Sequence, residues 1–170
     1  MATLSVTAAD VALVQVIEKF TGPAAEAIAA GQYVRLDTST GKIALGNGTS
    51  AAEARKGGIA ITSAPAGMTV TAVRKGIVDL GDALGDLTYD DDVFLSDTDG
   101  VLADTAGTTS LIVGTVVPVW AATTADKLLR SSGGANLGRV ACLDFRGADQ
   151  PSAAETREGR LRRAVCLCRR

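Results

Sequence analysis

Residues 33–44 read YVRLDTSTGKIA and residues 92–103 read DVFLSDTDGVLA, and the two align without a gap. Val34 falls on Val93, Leu36 on Leu95, Gly41 on Gly100, Ile43 on Leu102 and Ala44 on Ala103. Each copy is a short alternating strand, a polar turn closed by glycine, and a second short strand, which is the pattern of a β-hairpin. The likeness continues loosely from KGGIAI at 56–61 to IVGTVV at 112–117. Hydrophobic residues make up 46% of the 170 and aromatics only 4%, so the core is built from Val, Ile, Leu and Ala. With Thr and Gly also plentiful, short strands joined by turns are favoured over long helices. The expected fold is mainly β: a small β-barrel or β-sandwich-like domain of repeated hairpins, with an extended N-terminal arm and one short helix.

The repeat also decides how the acidic stretch DLTYDDDVFLSDTDG, residues 86–100, is read. It packs six aspartates and ends in Asp-Gly, as a calcium loop can. Yet the first copy keeps the pattern with Thr38, Ser39 and Thr40 where the second has Asp97, Thr98 and Asp99. The turn needs a glycine at the φ > 0 position and a side chain that bonds the local backbone, and acids are not required. An EF-hand counted from Asp97 would need glycine sixth and glutamate twelfth, but glycine comes fourth and Thr108 stands twelfth. Asp90, Asp91 and Asp92 are consecutive, so on entering a strand they point to alternate sides and do not converge on one cation. No metal ligands are assigned.

Residues 2–12, ATLSVTAADVA, read as an arm or edge strand. PAAEAIAAG at 23–31 has helix-favouring residues but is short and sits among alternating sequence, and it is read as extended. SAAEARKGG at 50–58 gives the clearest helix signal, with Ser50 and Glu53 as a capping box and Gly57 to end one or two turns. Strands are expected around Val70–Ala72 and again at Ile77–Leu80. The apolar run 108–121 belongs in the middle of the sheet, with Pro118 at its exit or on an edge. It is too short and broken to span a bilayer, and the N-terminus lacks the basic and apolar regions of a secretory signal.

Histidine is absent, which removes the commonest general base and the usual triad member. The glycine-rich pieces at 46–48 and 56–58 match neither a Walker loop nor a dinucleotide fingerprint. Catalytic residues, a cofactor and enzyme activity are therefore not expected. Residues 1–130 carry nine Lys/Arg against fifteen Asp/Glu, whereas 131–170 carry eight Arg against four acids. SSGGANLG at 131–138 reads as a flexible linker, which divides the chain into an arm and first strand (1–20), a β-rich body (21–130) and a basic extension (131–170). That extension holds Cys142, Cys166 and Cys168, too few and too clustered for a disulfide scaffold, which makes a reducing cytoplasm the default compartment. Its arginines are not interleaved with aromatics, so specific nucleic-acid binding is not expected, nor is a membrane.

The order VTAADV (6–11), AGQYVRLDTSTGKI (30–43), GGIAITSAPAGMTVTAVRKG (57–76), VFLSDTDGVL (93–102) and VGTVV (113–117) resembles the capsid cement, or head decoration, proteins of tailed bacteriophages. The resemblance covers about residues 2–129. It implies a small, mainly β structural protein of the virion, made in the bacterial host cytoplasm and bound to the outer surface of the expanded head shell. It implies a homotrimer at three-fold and quasi-three-fold sites, with the major capsid protein as partner, stabilising the shell against DNA pressure. The arm residues Ala2, Thr3, Leu4, Ser5, Val6, Thr7 and Ala8 are the expected capsid contact, by strand addition to a sheet edge, and Gly41 and Gly100 the expected hairpin-turn glycines. The alternative is a non-enzymatic β-sandwich module binding carbohydrate or calcium through the acidic Asp90–Asp99 loop.

Overall fold

The computed structural model describes residues 2–118 and 127–135. Nine strands follow in order: β1 (Ala12–Pro23), β2 (Tyr33–Leu36), β3 (Ile43–Leu45), β4 (Gly57–Ala60), β5 (Thr69–Asp79), β6 (Asp92–Leu95), β7 (Leu102–Ala103), β8 (Ile112–Pro118) and β9 (Lys127–Ala135). All strand pairs are antiparallel. They form one sheet in the order β3-β2-β4-β5-β9-β8-β6-β7, with β1 also paired to β5. The sheet curls into a half-barrel. The protein is mainly β, as the hairpin pattern implies.

The repeat seen in the sequence is a repeat of pairing and register. Arg35 pairs with Ala44 and Leu36 with Ile43 in the first hairpin; Phe94 pairs with Ala103 and Leu95 with Leu102 in the second. These are the same aligned positions. The next strand joins each hairpin in the same way, because Val34 faces Gly58 and Val93 faces Gly114. A further strand continues the match, with Ala60 facing Ala72 and Val116 facing Leu129. Apart from β1, the sheet is thus two four-strand halves, β2–β5 and β6–β9, joined where β5 runs along β9 from Gly76/Ser131 to Asp79/Leu128.

Both turns obey the same local chemistry. Asp37 Oδ1 accepts from the Ser39 N–H at 2.9 Å; at the aligned place Ser96 Oγ accepts from the Thr98 N–H at 3.2 Å. Gly41 and Gly100 both have φ of 69°, a left-handed conformation that disfavours side chains bearing a Cβ. The expected turn glycines are placed as the repeat requires.

Two apolar clusters hold the sheet. The larger gathers Tyr33, Ile59, Leu80, Leu95, Leu111 and Leu129 with their neighbours; the smaller includes Ala24, Ile28, Val34, Ile43 and Val70. Tyr33 is fully buried and its Oη donates to the Arg55 carbonyl at 2.8 Å. Burial pushes its phenol well above the usual tyrosine range.

Three sequence expectations are corrected. Residues 50–58 form no helix: Ser50 O accepts from the Glu53 and Ala54 N–H groups, which makes a single turn. The Glu53 carboxylate is held by Arg35, at 3.0 Å from Nε and 2.5 Å from Nη2, instead of returning to Ser50, and Gly57 is already paired with Arg35 in β4. Sheet pairing wins over a segment too short to be a stable helix. The helical turn among the described residues is a 3-10 turn at Gly81–Leu84.

The expected strands at 70–72 and 77–80 are one continuous strand, β5. The expected linker at 131–138 is not a linker through Ala135, because β9 crosses the drawn boundary at 130/131. Small residues are needed there by packing: Ser131 is buried with its Oγ on the Arg74 carbonyl, and a Cβ on Gly134 would lie 2.7 Å from Tyr33 Oη. Residues 136–170, with the three cysteines and all eight arginines of the basic extension, lie outside the described residues. The segment 23–31 is extended as read, tied by isolated bridges at Ala24 and Ile28, and the apolar run lies inside the sheet as β8, between β9 and β6.

Candidate interaction surfaces

The expected capsid-contact residues Ala2–Ala8 lie against the chain's own sheet. Thr3 bridges Ala103, the Leu4 N–H donates to the Leu102 carbonyl at 2.8 Å, and the Asp104 N–H donates to the Ala2 carbonyl at 3.2 Å. The arm therefore extends the free side of β7 as a short extra strand. Leu4 and Val6 pack against the larger core cluster, while Thr3, Ser5 and Thr7 face solvent. This alternation is what a half-covered strand gives.

The hold on the arm is light and mostly made by backbone. Its first residue is clasped by Asp104, whose Oδ1 accepts the Ala2 N–H at 2.9 Å. That bond is the leading reason the Asp104 carboxyl sits below the usual aspartate range. Val6 needs Gly31, since a Cβ there would come within 2.4 Å of Val6 Cγ1. Between arm and body lies a shallow cavity of about 250 Å³ lined by Leu4, Val6, Ala30, Gln32 and Val101 among others.

The turn glycines differ in setting. Gly41 is exposed, with open space where a Cβ would go, whereas Gly100 is buried against Gln32 and Leu45.

The structure does not gather the acidic loop around one point. Asp97 accepts from Thr108 twice, at its N–H (2.8 Å) and its Oγ1 (2.9 Å), and Asp99 accepts from Asn47 Nδ2 at 2.6 Å. Asp91 accepts the Thr88 N–H at 2.7 Å, and its carboxyl is lowered by the hydrogen bonds of Thr88. Asp90 holds a positive φ of 71° in the turn ahead of β6. Asp91, Asp97 and Asp99 thus each bind a different stretch of chain. Among the described residues no three His, Cys, Asp or Glu side chains cluster as a metal site would require.

The first strand expected within residues 1–20 is β1, whose bounds sequence reasoning did not give. Its residues 12–17 are exposed throughout, including Leu13, Val14, Val16 and Ile17. The signal was available in VALVQVI at 11–17, an apolar run interrupted only by glutamine. Only from Glu18 onwards is every second residue partly covered, and there Glu18 binds Arg74 at 2.9 Å and the Arg74 guanidinium lies 5.1 Å from the Phe20 ring centre.

No family model, curated protein or solved structure matches this chain.

Proposed function

We propose that this protein is a structural protein of a tailed-phage head, a decoration protein that binds the outer surface of the expanded shell. It acts there as a homotrimer at three-fold and quasi-three-fold positions and holds neighbouring copies of the major capsid protein against internal DNA pressure. Its work is adhesion. The ordered strand and turn motifs over residues 2–129 motivate the reading.

The observation that carries it is the arm. Residues 2–8 are held to β7 mainly by main-chain hydrogen bonds and two half-buried side chains. A sheet edge on the shell offers the same main-chain groups, so exchanging one edge for the other costs few side-chain contacts. Three arms on one trimer multiply the affinity by effective concentration. The net negative charge of residues 1–130 also disfavours sticking to the genome.

The test is co-sedimentation of purified protein with decoration-free heads of its own phage, in unexpanded and expanded form. Binding confined to expanded heads is the expected result. Binding to neither form removes the proposal.

A further inference from the structure

Three strands lie at ends of the sheet path: β3, β7 and β1. The chain covers two of them itself. Ala24 bridges Ile43 of β3 and the Ala25 N–H donates to the Ile43 carbonyl at 2.7 Å; the arm covers β7. β1 is different. It has β5 on one side, and among the described residues no strand pairs with the other.

β1 also carries four of the seven exposed large hydrophobic residues among the described residues. Leu13, Val14, Val16 and Ile17 are 44%, 44%, 39% and 72% exposed, and no charge stands between Val11 and Ile17. Proteins usually blunt such an edge with lysine, proline or a covering segment, because it invites association. β1 has register slips between Leu13 and Gln15 and between Val16 and Glu18, which leave Val14 and Ile17 without partners on β5. The slips disturb the backbone ladder and leave the apolar side chains outside.

The sequence of the run says what fits it. Leu13-Val14-Gln15-Val16-Ile17 reads nearly the same in both directions. Laid antiparallel on a second copy about Gln15, it sets Leu13 against Ile17, Val14 against Val16 and Gln15 against Gln15, whose amides can each donate and accept. Glu18 then meets Ala12 and Lys19 meets Val11. A parallel arrangement would set Glu18 against Glu18 and Lys19 against Lys19, and like charges opposite each other are destabilising.

We propose that β1 is a self-association surface, on which a second copy of this chain packs its own β1 antiparallel, centred on Gln15. The contact is made chiefly by side chains. Because both copies use the same patch, it closes at two; where copies already stand as trimers, it joins one trimer to another. It stands apart from the capsid reading, since it needs no shell.

The experiment is native mass spectrometry of the full chain without shells, comparing wild type with the double variant Val14→Lys, Ile17→Lys. The wild type has an even copy number and the variant half of it. A wild type with an odd copy number, or a variant of unchanged mass, overturns the proposal. A second measurement guards against a variant that misfolds. In a background with Cys142, Cys166 and Cys168 changed to serine, Gln15→Cys oxidises to a covalent pair while Thr21→Cys, beyond the apolar run, stays single. Equal cross-linking at both positions, or none at 15, also overturns it.

Discussion

The turns at 37–42 and 96–101 occupy the same place in the repeat and share a glycine with φ of 69°, but they live in different surroundings. The first is self-contained: Asp37 binds Ser39 N–H, Ser39 Oγ and Thr40 Oγ1, and Gly41 faces open space. The second is a joint between the halves. Gly100 donates to the Gly46 carbonyl at 2.8 Å and accepts from the Tyr33 N–H at 2.9 Å, Gly48 donates to the Ser96 carbonyl at 2.7 Å, and Asp99 reaches Asn47. A hairpin fixed by one local rule can therefore be a free loop in one copy and a fastening in the other. What decides is the strand it lands beside.

The sharpest contrast between the halves is at aligned positions Tyr33 and Asp92. Tyr33 is fully buried and Asp92 only partly so. Tyr33→Ala removes a large core ring and lowers unfolding free energy by about 3–5 kcal/mol, the range for aromatic deletions in cores. Asp92→Ala stays within about 0.5 kcal/mol, as surface substitutions do. Urea unfolding of both variants measures the difference, and equal losses would break the contrast.

Where the halves match, they should respond alike. A Cβ on Gly58 would lie 2.4 Å from the Val73 carbonyl oxygen, and one on Gly114 would lie 2.3 Å from that of Arg130. Both obstructing atoms are backbone of the next strand. Gly58→Ala and Gly114→Ala each cost about 1–3 kcal/mol, typical of overpacking. Thermal melts in which one is tolerated and the other is not would show that the two strand junctions are built differently.

The turn glycines give a smaller, graded effect. Gly41→Ala meets only the cost of a left-handed residue, about 1–2 kcal/mol. Gly100→Ala adds contacts at 2.9 Å to Leu45 Cδ2 and 3.1 Å to Gln32 Cβ, so it loses more. Calorimetry that ranks them the other way would contradict the docked placement of the second turn.

The smallest effect is in acid. The Ser39 and Thr40 hydrogen bonds bring the Asp37 carboxyl down to about 2, led by the Ser39 N–H. Its folded value is lower than its unfolded one, so its contribution is present above the ordinary aspartate range and is lost as pH falls through about 2. Ser96, its counterpart, does not titrate. Carbon-detected NMR should give Asp37 a midpoint near 2, and a midpoint in the ordinary range would mean that the turn bonds are not formed.

The hairpins were legible in the sequence because their rule is local: alternation, a side chain that bonds the backbone, and a glycine at the left-handed position. The alignment of the two copies implies that they share one register, and the structure supplies what that register is. The helix of one or two turns expected at 50–58 was misread because capping residues report only local preference, and Arg35 takes Glu53 while β4 takes Gly57. The linker at 131–138 was misread for a related reason. Composition marks Ser and Gly as flexible, but here smallness lets Gly134 sit beneath Tyr33 Oη. The exposure of β1 and the docking of the arm depend on which edges the rest of the chain covers, and no short stretch carries that information.

The central claim is that residues 2–8 leave β7 for a shell edge. Its direct measurement is the affinity of expanded heads for the full chain and for a chain lacking Ala2–Ala8, by quantitative co-sedimentation, with circular dichroism to establish that both are folded. The account predicts that the shortened chain keeps its β-structure and loses binding by tenfold or more, about 1.4 kcal/mol or above. Unchanged binding by the shortened chain would contradict it and place the capsid contact elsewhere on the body.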